Sequence, residues 1–315
     1  MKIPIFTDDP GWHGKQLQLA FATRGVDAVF VSLQNCGMHM ALPPVVHHDR
    51  HDSVKPLMHI PGFDAHKLPL AVFVRGVSGG SLQQVITRLN VLHMLAMEGV
   101  RIYNDVKAIE RTVDKAMTSF LLRRHGVATP ATWVCESREQ AETIRQAAAL
   151  AQQVLVMKPL FGSQGLGVRK LMAGEALPVP MQQYVDGVYY FQQLIETAAA
   201  PHDYRVFVIA GKVIAAMKRV GSSWVNNVAA GGRCLAMQID DTMRELAIKA
   251  AAAVDIDYCG VDIIQAASGE YYVLEVNSIP AWKGLQSVTQ LNIAQLLVDD
   301  FLSKISAQPM AEVYA

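Results

Sequence analysis

Short apolar segments separated by helical periodicity mark the first third of the chain. The apolar runs at residues 3–6, 28–32 and 70–74 predict strands. After the third run, apolar side chains recur at the spacing of one helix face, namely Leu82, Val85, Ile86, Leu89 and Leu92. This alternation predicts a first α/β domain over residues 1–103.

A second pattern covers residues 104–188. A helix is predicted over 109–124, with its end at His125-Gly126, and a strand over 132–135. Ser137 with Gln140 forms the pattern of a capping box and opens a helix to about residue 152. A strand at 154–158 then leads into a glycine loop, so this segment is predicted to be a small second domain.

The last pattern, residues 189–315, contains two predicted hairpins that flank a helix starting near Asp241. The fold class expected for the whole chain is therefore α/β (α+β), with three domains at 1–103, 104–188 and 189–315.

Composition narrows the function classes. The 315 residues include 28 Lys+Arg and 28 Asp+Glu, with 18% charged and 51% hydrophobic residues. This balance excludes a disordered chain and disfavours nucleic acid as a partner, because such binding draws on a basic excess. No apolar run reaches the ~20 residues of a membrane span, and Asp8 and Asp9 interrupt any signal-like segment, so we predict a cytoplasmic protein with no membrane partner.

Two polar segments are ambiguous. His47 and His51 lie in a stretch that follows Pro43-Pro44 and lacks apolar periodicity, which is more typical of a solvated loop than of a metal site. The turn at residues 75–80 joins a strand to a helix, an arrangement found both in ordinary turns and at anion sites. The four widely spaced cysteines predict reduced thiols.

The glycine loop is the first candidate for binding chemistry. Gly162, Gly165 and Gly167 let the backbone approach a ligand closely, and Lys158 directly precedes the loop. Val168 stands where a P-loop needs Lys, and the following residues resemble a strand. The pattern therefore predicts a hairpin flap over phosphates, with an ordinary flexible hairpin as the alternative.

The C-terminal hairpin is the second candidate. A two-residue turn at Ser268-Gly269 would place Asp262 directly opposite Glu275, with Asn277 on the same face. Like charges so placed destabilise a sheet unless a cation lies between them, and Mg²⁺ prefers such oxygen ligands. The alternative is an accidental pair on a solvated face. The basic residues that would complete a site for a metal-bound nucleotide are Lys115, Lys158, Arg205, Lys218 and Arg219.

The chain resembles the RimK-type branch of the ATP-grasp ligases. The shared motifs are NDVKAIER at 104–111, DK at 114–115, KPLFGSQGLGV at 158–168, RVFV at 205–208, AAMKR at 215–219, GVDI at 260–263 and LEVNS at 274–278. The segments VRGVSGG at 74–80 and QVITRL at 84–89 look closest to the members that add glutamate to pterin or deazaflavin cofactors, such as tetrahydromethanopterin.

The resemblance implies an ATP-grasp fold with an N-terminal Rossmann-like domain, and it implies roles for individual residues. Lys115 and Lys158 would contact phosphates, Arg219 and Arg205 would serve catalysis, and Arg75 would bind substrate. The residues implied to bind ATP besides the lysines are Gly162, Ser163, Gln164, Gly165, Gly167, Gln193, Leu194, Ile195, Asp203 and Asn227. The residues implied to bind Mg²⁺, with Mn²⁺ as an alternative, are Asp262, Glu275 and Asn277.

Some positions depart from the family pattern. Gln193 stands where Glu is common, Val225 replaces an Arg, and Ala229-Ala230 replaces His-Arg. These departures leave the expected ATP site in place and concern the acceptor substrate.

The resemblance implies a carbon–nitrogen ligase that forms an acyl phosphate with ATP and adds L-glutamate to a small carboxylated acceptor. The alternatives are glutamylation of a protein C-terminal tail, or a nucleotide-binding phosphotransferase or regulator without ligation. The implied partners are small molecules, and the family suggests a homodimer or homotetramer.

Overall fold

A computed structural model describes residues 1–40, 58–64, 66–162, 165–178, 187–198, 201–221, 224 and 232–306. The chain divides into two compact units, one formed by Met1–Val106 with the segment that begins at Asn292, the other by Lys107–Leu291. Within the described residues, no helix is long and apolar enough to cross a membrane.

The first unit is built on a parallel sheet. Its elements are β1 (Lys2–Phe6), α1 (Gly11–Ala22), β2 (Asp27–Val31), a 3-10 helix (Leu33–Asn35), β3 (Gly37–Met38), β4 (Met58–His59), β5 (Ala71–Val74), α2 (Leu82–Met97) and β6 (Arg101–Tyr103). The main sheet has the order β2-β1-β5-β6, and all of its pairs are parallel. The predicted strands at 3–6, 28–32 and 70–74 are confirmed as β1, β2 and β5.

Helix α2 begins where the apolar spacing predicts. Ser81 is its N-cap, because the Ser81 hydroxyl accepts from the Gln84 backbone N–H at 3.3 Å and the Gln84 side chain accepts from the Ser81 N–H at 2.9 Å. This reciprocal pair satisfies donors that the first turn leaves open. The helix then buries Val91, Leu92 and Leu95 against the unit's core.

The chain returns to the first unit at its C-terminal helix, α8 (Ile293–Ser306). Phe301 is fully buried, with its ring 5.4 Å from that of Phe21, 5.6 Å from Tyr103 and 5.7 Å from Phe73. The predicted third domain, 189–315, includes α8, whereas in the structure α8 packs with the N-terminal sheet, because its apolar face completes that core.

The second unit contains two antiparallel sheets. Its elements are α3 (Val106–Val113), α4 (Lys115–Arg124), β7 (Thr132–Cys135), α5 (Arg138–Leu150), β8 (Leu155–Lys158), β9 (Arg169–Leu171), β10 (Tyr189–Gln193), β11 (His202–Ile209), β12 (Lys212–Val220), β13 (Arg233–Ala236), α6 (Asp241–Val254), β14 (Tyr258–Gln265), β15 (Tyr271–Asn277) and α7 (Lys283–Gln286). Among the described strands, one sheet has the order β7-β10-β8-β9 and the other β13-β12-β11-β14-β15.

Each of these sheets has one apolar face covered by a helix. In the four-stranded sheet, Leu155, Met157, Tyr189 and Phe191 pack against Ala141 and Ala148 of α5. In the five-stranded sheet, Val206, Val261 and Ile263 belong to a core shared with Ala247 and Ala250 of α6. Because side chains alternate along a strand, the intervening residues form a second face on each sheet, the polar face, which carries charged side chains such as Lys158 and Asp262. On the five-stranded sheet this face also holds the buried rings of Phe207 and Tyr258.

The helix predicted over 109–124 is wrong as a single element. It is two helices, α3 and α4, separated at Asp114. The Asp114 carboxylate accepts from the backbone N–H groups of Ala116 at 2.8 Å and Met117 at 3.1 Å, which makes it the N-cap of α4. Helix α4 nevertheless ends at His125-Gly126 as predicted, with Gly126 at φ +67°.

The predicted pairing of the C-terminal hairpin is confirmed, although the turn that justified it is wrong. Ala266 bonds to Glu270, so the turn has three residues and shifts the register by one. A bulge between Asp262 and Ile263 shifts the register back. Asp262 consequently lies opposite Glu275, and Gly260 opposite Asn277.

Candidate active site

Charged side chains gather on the polar face of the five-stranded sheet. Arg205 on β11 pairs in register with Asp262 on β14, which in turn pairs with Glu275 on β15. On the other side of β11, Asp203 pairs in register with Arg219 on β12. Four adjacent strands therefore bring together five residues that are up to 72 positions apart in the sequence.

The arginines bind the aspartates in bidentate ion pairs. Arg205 donates to both Asp262 oxygens, from Nε at 2.7 Å and from Nη2 at 2.6 Å. Arg219 donates to Asp203 at 2.7 and 2.8 Å, and its Nη2 also lies 3.0 Å from Oδ2 of Asp262. Arg219, Asp203 and Asp262 are buried, so these four residues form a linked row of alternating charge with little access to water.

The two guanidinium groups keep Asp262 ionised. Burial alone would raise the pKa of Asp262, but Arg205 and Arg219 outweigh it and hold that pKa well below its ordinary value. Gly260 makes room for this arrangement, because a Cβ there would lie 3.0 Å from Pro280 Cβ and 3.5 Å from Arg205 Cδ. A side chain at position 260 would crowd Pro280, whereas its Cβ would make only an ordinary van der Waals contact with Arg205.

The residues predicted to hold Mg²⁺ offer suitable oxygen donors. Asp262 and Glu275 contribute carboxylates, and Asn277 lies on the Glu275 face with its Nδ2 3.1 Å from Glu275 Oε1. In the described part of the chain, no group of three or more His, Cys, Asp and Glu residues could hold a metal. Two carboxylates with an amide fit Mg²⁺, which usually takes few protein carboxylates together with substrate phosphates.

Two lysines contribute positive charge close to this hairpin. The Lys158 ammonium donates to Gln192 Oε1 at 2.6 Å. Burial lowers the pKa of Lys158, Glu275 opposes that effect, and the neighbouring Lys115 adds to it. Burial likewise lowers the pKa of Lys115, against the attraction of Glu275 and Asp114. Glu275 is therefore the carboxylate whose field reaches both lysines.

Lys115 and the glycine loop are directly connected. The Lys115 ammonium donates to the carbonyls of Gly162 at 2.9 Å and Leu160 at 3.3 Å. The loop joins β8 to β9, whose antiparallel pairing confirms the predicted hairpin. Gly167 has φ +74°, and a Cβ there would lie 2.7 Å from Pro159 Cγ, so this position requires glycine.

Gln193, Leu194 and Ile195, which the resemblance implies to bind ATP at its adenine, lie at and directly after the end of β10. The Gln193 backbone N–H donates to the Ala131 carbonyl at 2.8 Å, and the Leu194 N–H donates to the Val154 carbonyl at 2.9 Å. Ile195 is half-buried. These contacts fix the path of the backbone where the inner strand β10 ends.

Other predicted site residues are placed elsewhere or lie outside the described residues. Asp203 is buried against Arg219, and Arg75 belongs to the first unit, where its backbone N–H donates to the Phe6 carbonyl at 2.8 Å. Gly162 and Gly165 are described, with φ +144° and +71°. The predicted residues outside the described ones are Ser163, Gln164, Asn227 and the His47–His51 pair.

Sequence reasoning missed three polar residues next to Lys158. Gln192 Nε2 lies 3.4 Å from the Tyr190 hydroxyl, which lies 2.8 Å from Ser119 Oγ. Gln192 is only 1% exposed, and a buried amide requires partners. The alternation of β10 could have indicated them, because Tyr190 and Gln192 occupy the face opposite Tyr189 and Phe191.

Comparisons with known proteins show what the chain as a whole is similar to. A model of the RimK-like ATP-grasp domain matches residues 112–301. Tetrahydromethanopterin:alpha-L-glutamate ligase of Methanococcus maripaludis is 32% identical over 237 residues, which cover 73% of this chain and 78% of that protein. "Probable alpha-L-glutamate ligase 1" of Pseudoalteromonas atlantica is 27% identical over 314 residues, covering 98% and 97%.

The ATP-grasp fold is shown by solved structures as well. The structure of ATP-grasp ligase PsnB complexed with minimal precursor, Mg and ADP has a TM-score of 0.70 at 21% identity, covering 97% of this chain and 98% of that one. The family uses ATP and Mg²⁺. The motifs, the fold and these relatives together show that the chain belongs to the RimK-like ATP-grasp family of ligases.

Proposed function

We propose that this protein joins L-glutamate to a small carboxylated acceptor, such as a pterin-type cofactor, through an acyl phosphate made at the expense of ATP. The observation that carries the proposal is that two lysines lie close to the β14–β15 hairpin, which bears the carboxylates of Asp262 and Glu275. Lys115 and Lys158 both lie within the field of Glu275, which pairs in register with Asp262. Cations beside an oxygen-rich metal site suit a metal-bound nucleotide.

In the first step, an oxygen of the acceptor carboxylate attacks the γ-phosphorus of ATP. The bond between that phosphorus and the bridging β–γ oxygen breaks, and ADP leaves. Lys115 and Lys158 bind the phosphates, while the Arg219 guanidinium, held in place by Asp203, faces the charge that develops on the transferring group. Asp262, Glu275 and Asn277 would hold Mg²⁺, which would neutralise phosphate charge.

In the second step, the glutamate amine attacks the acyl carbon. The carbon–oxygen bond to phosphate breaks, inorganic phosphate leaves, and the nitrogen loses a proton to become an amide. No enzyme nucleophile is needed. Arg205 keeps Asp262 ionised, and on the family resemblance Arg75 binds the acceptor.

The choice of glutamate and of a pterin-type acceptor is supported by relatives. The names of proteins 32% and 27% identical to this chain include alpha-L-glutamate ligase, and one of them names tetrahydromethanopterin. The segment VRGVSGG at 74–80, which contains Arg75, resembles the same branch in sequence. We assign the acceptor to the class of small carboxylated cofactors on this basis.

The test is a reaction of purified protein with ATP, MgCl₂, L-glutamate and a panel of carboxylated acceptors. We expect ADP and phosphate to be released only when glutamate and a cofactor-type acceptor are both present. Mass spectrometry should detect the acceptor plus one or more glutamyl residues. Replacing Mg²⁺ by Mn²⁺ should retain activity, because both take oxygen ligands.

Other outcomes would select another function. Glutamyl transfer to peptides ending in a free carboxylate, with no transfer to cofactors, would favour modification of a protein tail. ADP release without glutamate and without an amide product would favour a phosphotransferase and contradict ligation.

Three further features are part of the proposal. We expect the second unit to act as two ATP-grasp subdomains that divide near residue 188. We also expect a cytoplasmic homodimer or homotetramer, and sedimentation of the purified protein measures its mass directly.

A further inference from the structure

The Lys158 ammonium is the end of a chain of polar side chains from three elements. Gln192 on β10 accepts from Lys158 at 2.6 Å, and Gln192 Nε2 lies 3.4 Å from the Tyr190 hydroxyl. Tyr190 in turn lies 2.8 Å from Ser119 Oγ on α4. Gln192 and Tyr190 are each 1% exposed, so these contacts take the place of water.

The chemistry of the groups gives this chain a direction. A lysine ammonium only donates, so Gln192 must present its carbonyl oxygen to Lys158. Its NH₂ group then donates to the Tyr190 hydroxyl, and that hydroxyl shares a hydrogen bond with Ser119 in which either oxygen can donate. Lys158 therefore holds the buried amide in a single flip state.

We propose that Gln192 is a positioning residue that aims the Lys158 ammonium at the nucleotide phosphates. The inference rests on the proposed function in one respect, namely that Lys158 binds those phosphates. Gln192 acts through Lys158 and touches no reacting atom.

A neutral acceptor suits this task. Lysine is a point charge on a flexible stem with three donors, so an unsupported ammonium would lose entropy on binding phosphate. Gln192 takes one donor and leaves two for phosphate oxygens. Because an amide carries no charge, it restrains the ammonium without neutralising the field that attracts an anion.

Register explains why these residues meet. On the antiparallel pair β8–β10, Lys158 lies opposite Tyr190 and Val156 opposite Gln192. Lys158 and Gln192 are therefore diagonal neighbours on the same face, within reach of each other's long side chains. The other face carries Tyr189 and Phe191 into the core with α5.

A double-mutant cycle with Gln192→Met and Lys158→Met tests the inference, with Mg·ADP binding measured by titration calorimetry. We expect Gln192→Met to weaken ADP binding roughly 10- to 100-fold, the range for losing a hydrogen bond to a charged group. In the Lys158→Met background the same change should have almost no further effect, since there is no ammonium left to position. A purely structural role would instead add equally in both backgrounds.

Tyr190→Phe provides a milder variant, and Tyr189→Phe is its matched control. Tyr190→Phe removes the hydroxyl that orients Gln192 and should weaken ADP binding roughly 2- to 10-fold, within the range for a single neutral hydrogen bond. Tyr189→Phe lies on the opposite face and should leave ADP binding unchanged. Equal effects of the two changes would overturn the inference.

The results separate this inference from the proposed function. If Lys158→Met weakens ADP binding and Gln192→Met does not, Lys158 keeps its role and the inference on Gln192 is wrong. If Lys158→Met binds Mg·ADP as tightly as the unaltered protein, the phosphate role of Lys158 and the inference fail together.

Discussion

The two sheets of the second unit hold their charged residues in opposite ways. On the four-stranded sheet, Lys158 is restrained by neutral partners, the amide of Gln192 and the hydroxyl behind it. On the five-stranded sheet, Arg205 and Arg219 are restrained by Asp262 and Asp203 in two-pronged ion pairs. The four-stranded sheet therefore keeps the positive charge of its lysine, whereas on the five-stranded sheet the aspartates neutralise most of the charge of the arginines.

This difference indicates which ligand each face is built to attract. Among the described residues, Lys158 pairs with an amide and with no acid, so the polar face of the four-stranded sheet (the lysine face) offers its charge to an anion. In the charged row, two arginines offset two aspartates, and Glu275 remains as the additional carboxylate. Phosphate would therefore be drawn to the lysines and a divalent cation to Glu275, which brings a metal-bound nucleotide to both.

The largest expected effect on stability comes from breaking the row of ion pairs on the five-stranded sheet. Asp262→Asn would leave Arg205 without its ion-pair partner and Arg219 with Asp203 alone, both with little access to water. We expect the free energy of unfolding to fall by about 3–5 kcal/mol, the usual result of removing one partner of a buried ion pair. Urea denaturation measures this loss.

Gln192→Met supplies the comparison on the neutral face. Its loss of stability should be smaller, about 1–3 kcal/mol, because only one hydrogen bond to a charged group disappears. If the two variants lost equal stability, the distinction between a compensated and a neutral face would be wrong.

The next effect separates activity from stability at the same site. Glu275→Gln keeps the shape of the side chain and removes the additional carboxylate beside Asp262. We expect Mg²⁺-dependent turnover to fall at least roughly 100-fold, which corresponds to about 2.7 kcal/mol in the barrier. The melting temperature should stay the same or rise, because a like charge has been removed.

Unchanged turnover in Glu275→Gln would remove Glu275 from the metal site. Glu270→Gln, in the exposed turn of the same hairpin, is the matched control and should retain full turnover.

A smaller effect is the pH dependence of the stability that Lys158 contributes on the four-stranded sheet. Burial lowers the pKa of Lys158, so the folded protein holds that proton less tightly than the unfolded chain does. Its contribution to stability therefore increases with pH, from the lowered folded pKa up to the unfolded value of about 10.4. The unaltered protein should gain stability relative to Lys158→Met between pH 7 and pH 10, as measured by urea midpoints.

Lys249→Met is the reference for this pH comparison, because that ammonium is 63% exposed on α6 and makes only a 3.9 Å surface pair with Glu245. The stability difference between Lys249→Met and the unaltered protein should change little with pH. If it changed as much as the difference for Lys158→Met, burial would not be the cause of the pH effect at Lys158.

The smallest effect tests the glycine loop, whose Gly162 carbonyl accepts from the Lys115 ammonium. Gly167→Ala combines a left-handed φ of +74° with a Cβ placed 2.7 Å from Pro159 Cγ. We expect a cost of about 1–3 kcal/mol in local strain, seen as a raised KM for ATP. Gly174→Ala has a similar φ of +82° in open space and should affect KM for ATP less.

Much of the fold could be predicted because its signals are local. The strand at 132–135 and the helix beginning at Leu82 follow from apolar spacing and from Ser, Asp and Gly at element ends. The break at Asp114 was also readable, since Asp is a good N-cap, but the apolar spacing continued through it and favoured one helix. There, side-chain capping prevailed over periodicity.

The site was predictable only in part, because its contacts join distant strands. The pairing of Asp262 with Glu275 was predicted from a single hairpin. It is correct because the three-residue turn shifts the register by one and the bulge after Asp262 shifts it back. The pairing of Arg205 with Asp262 and of Tyr190 with Lys158 depends on strand order in each sheet, which no local pattern specifies. Gln192 and Ser119 were missed for the same reason.

The late return of α8 to the first unit sets an order of events during synthesis. Phe21, Phe73 and Tyr103 leave the ribosome early, but their common partner Phe301 is made after the whole second unit. At the usual rate of ~5–20 residues per second, the aromatic core of the first unit waits roughly 10–40 seconds for its last ring. During that interval the nascent chain exposes the apolar surface of the first unit, and the second unit is completed only at Leu291, shortly before Phe301 is made.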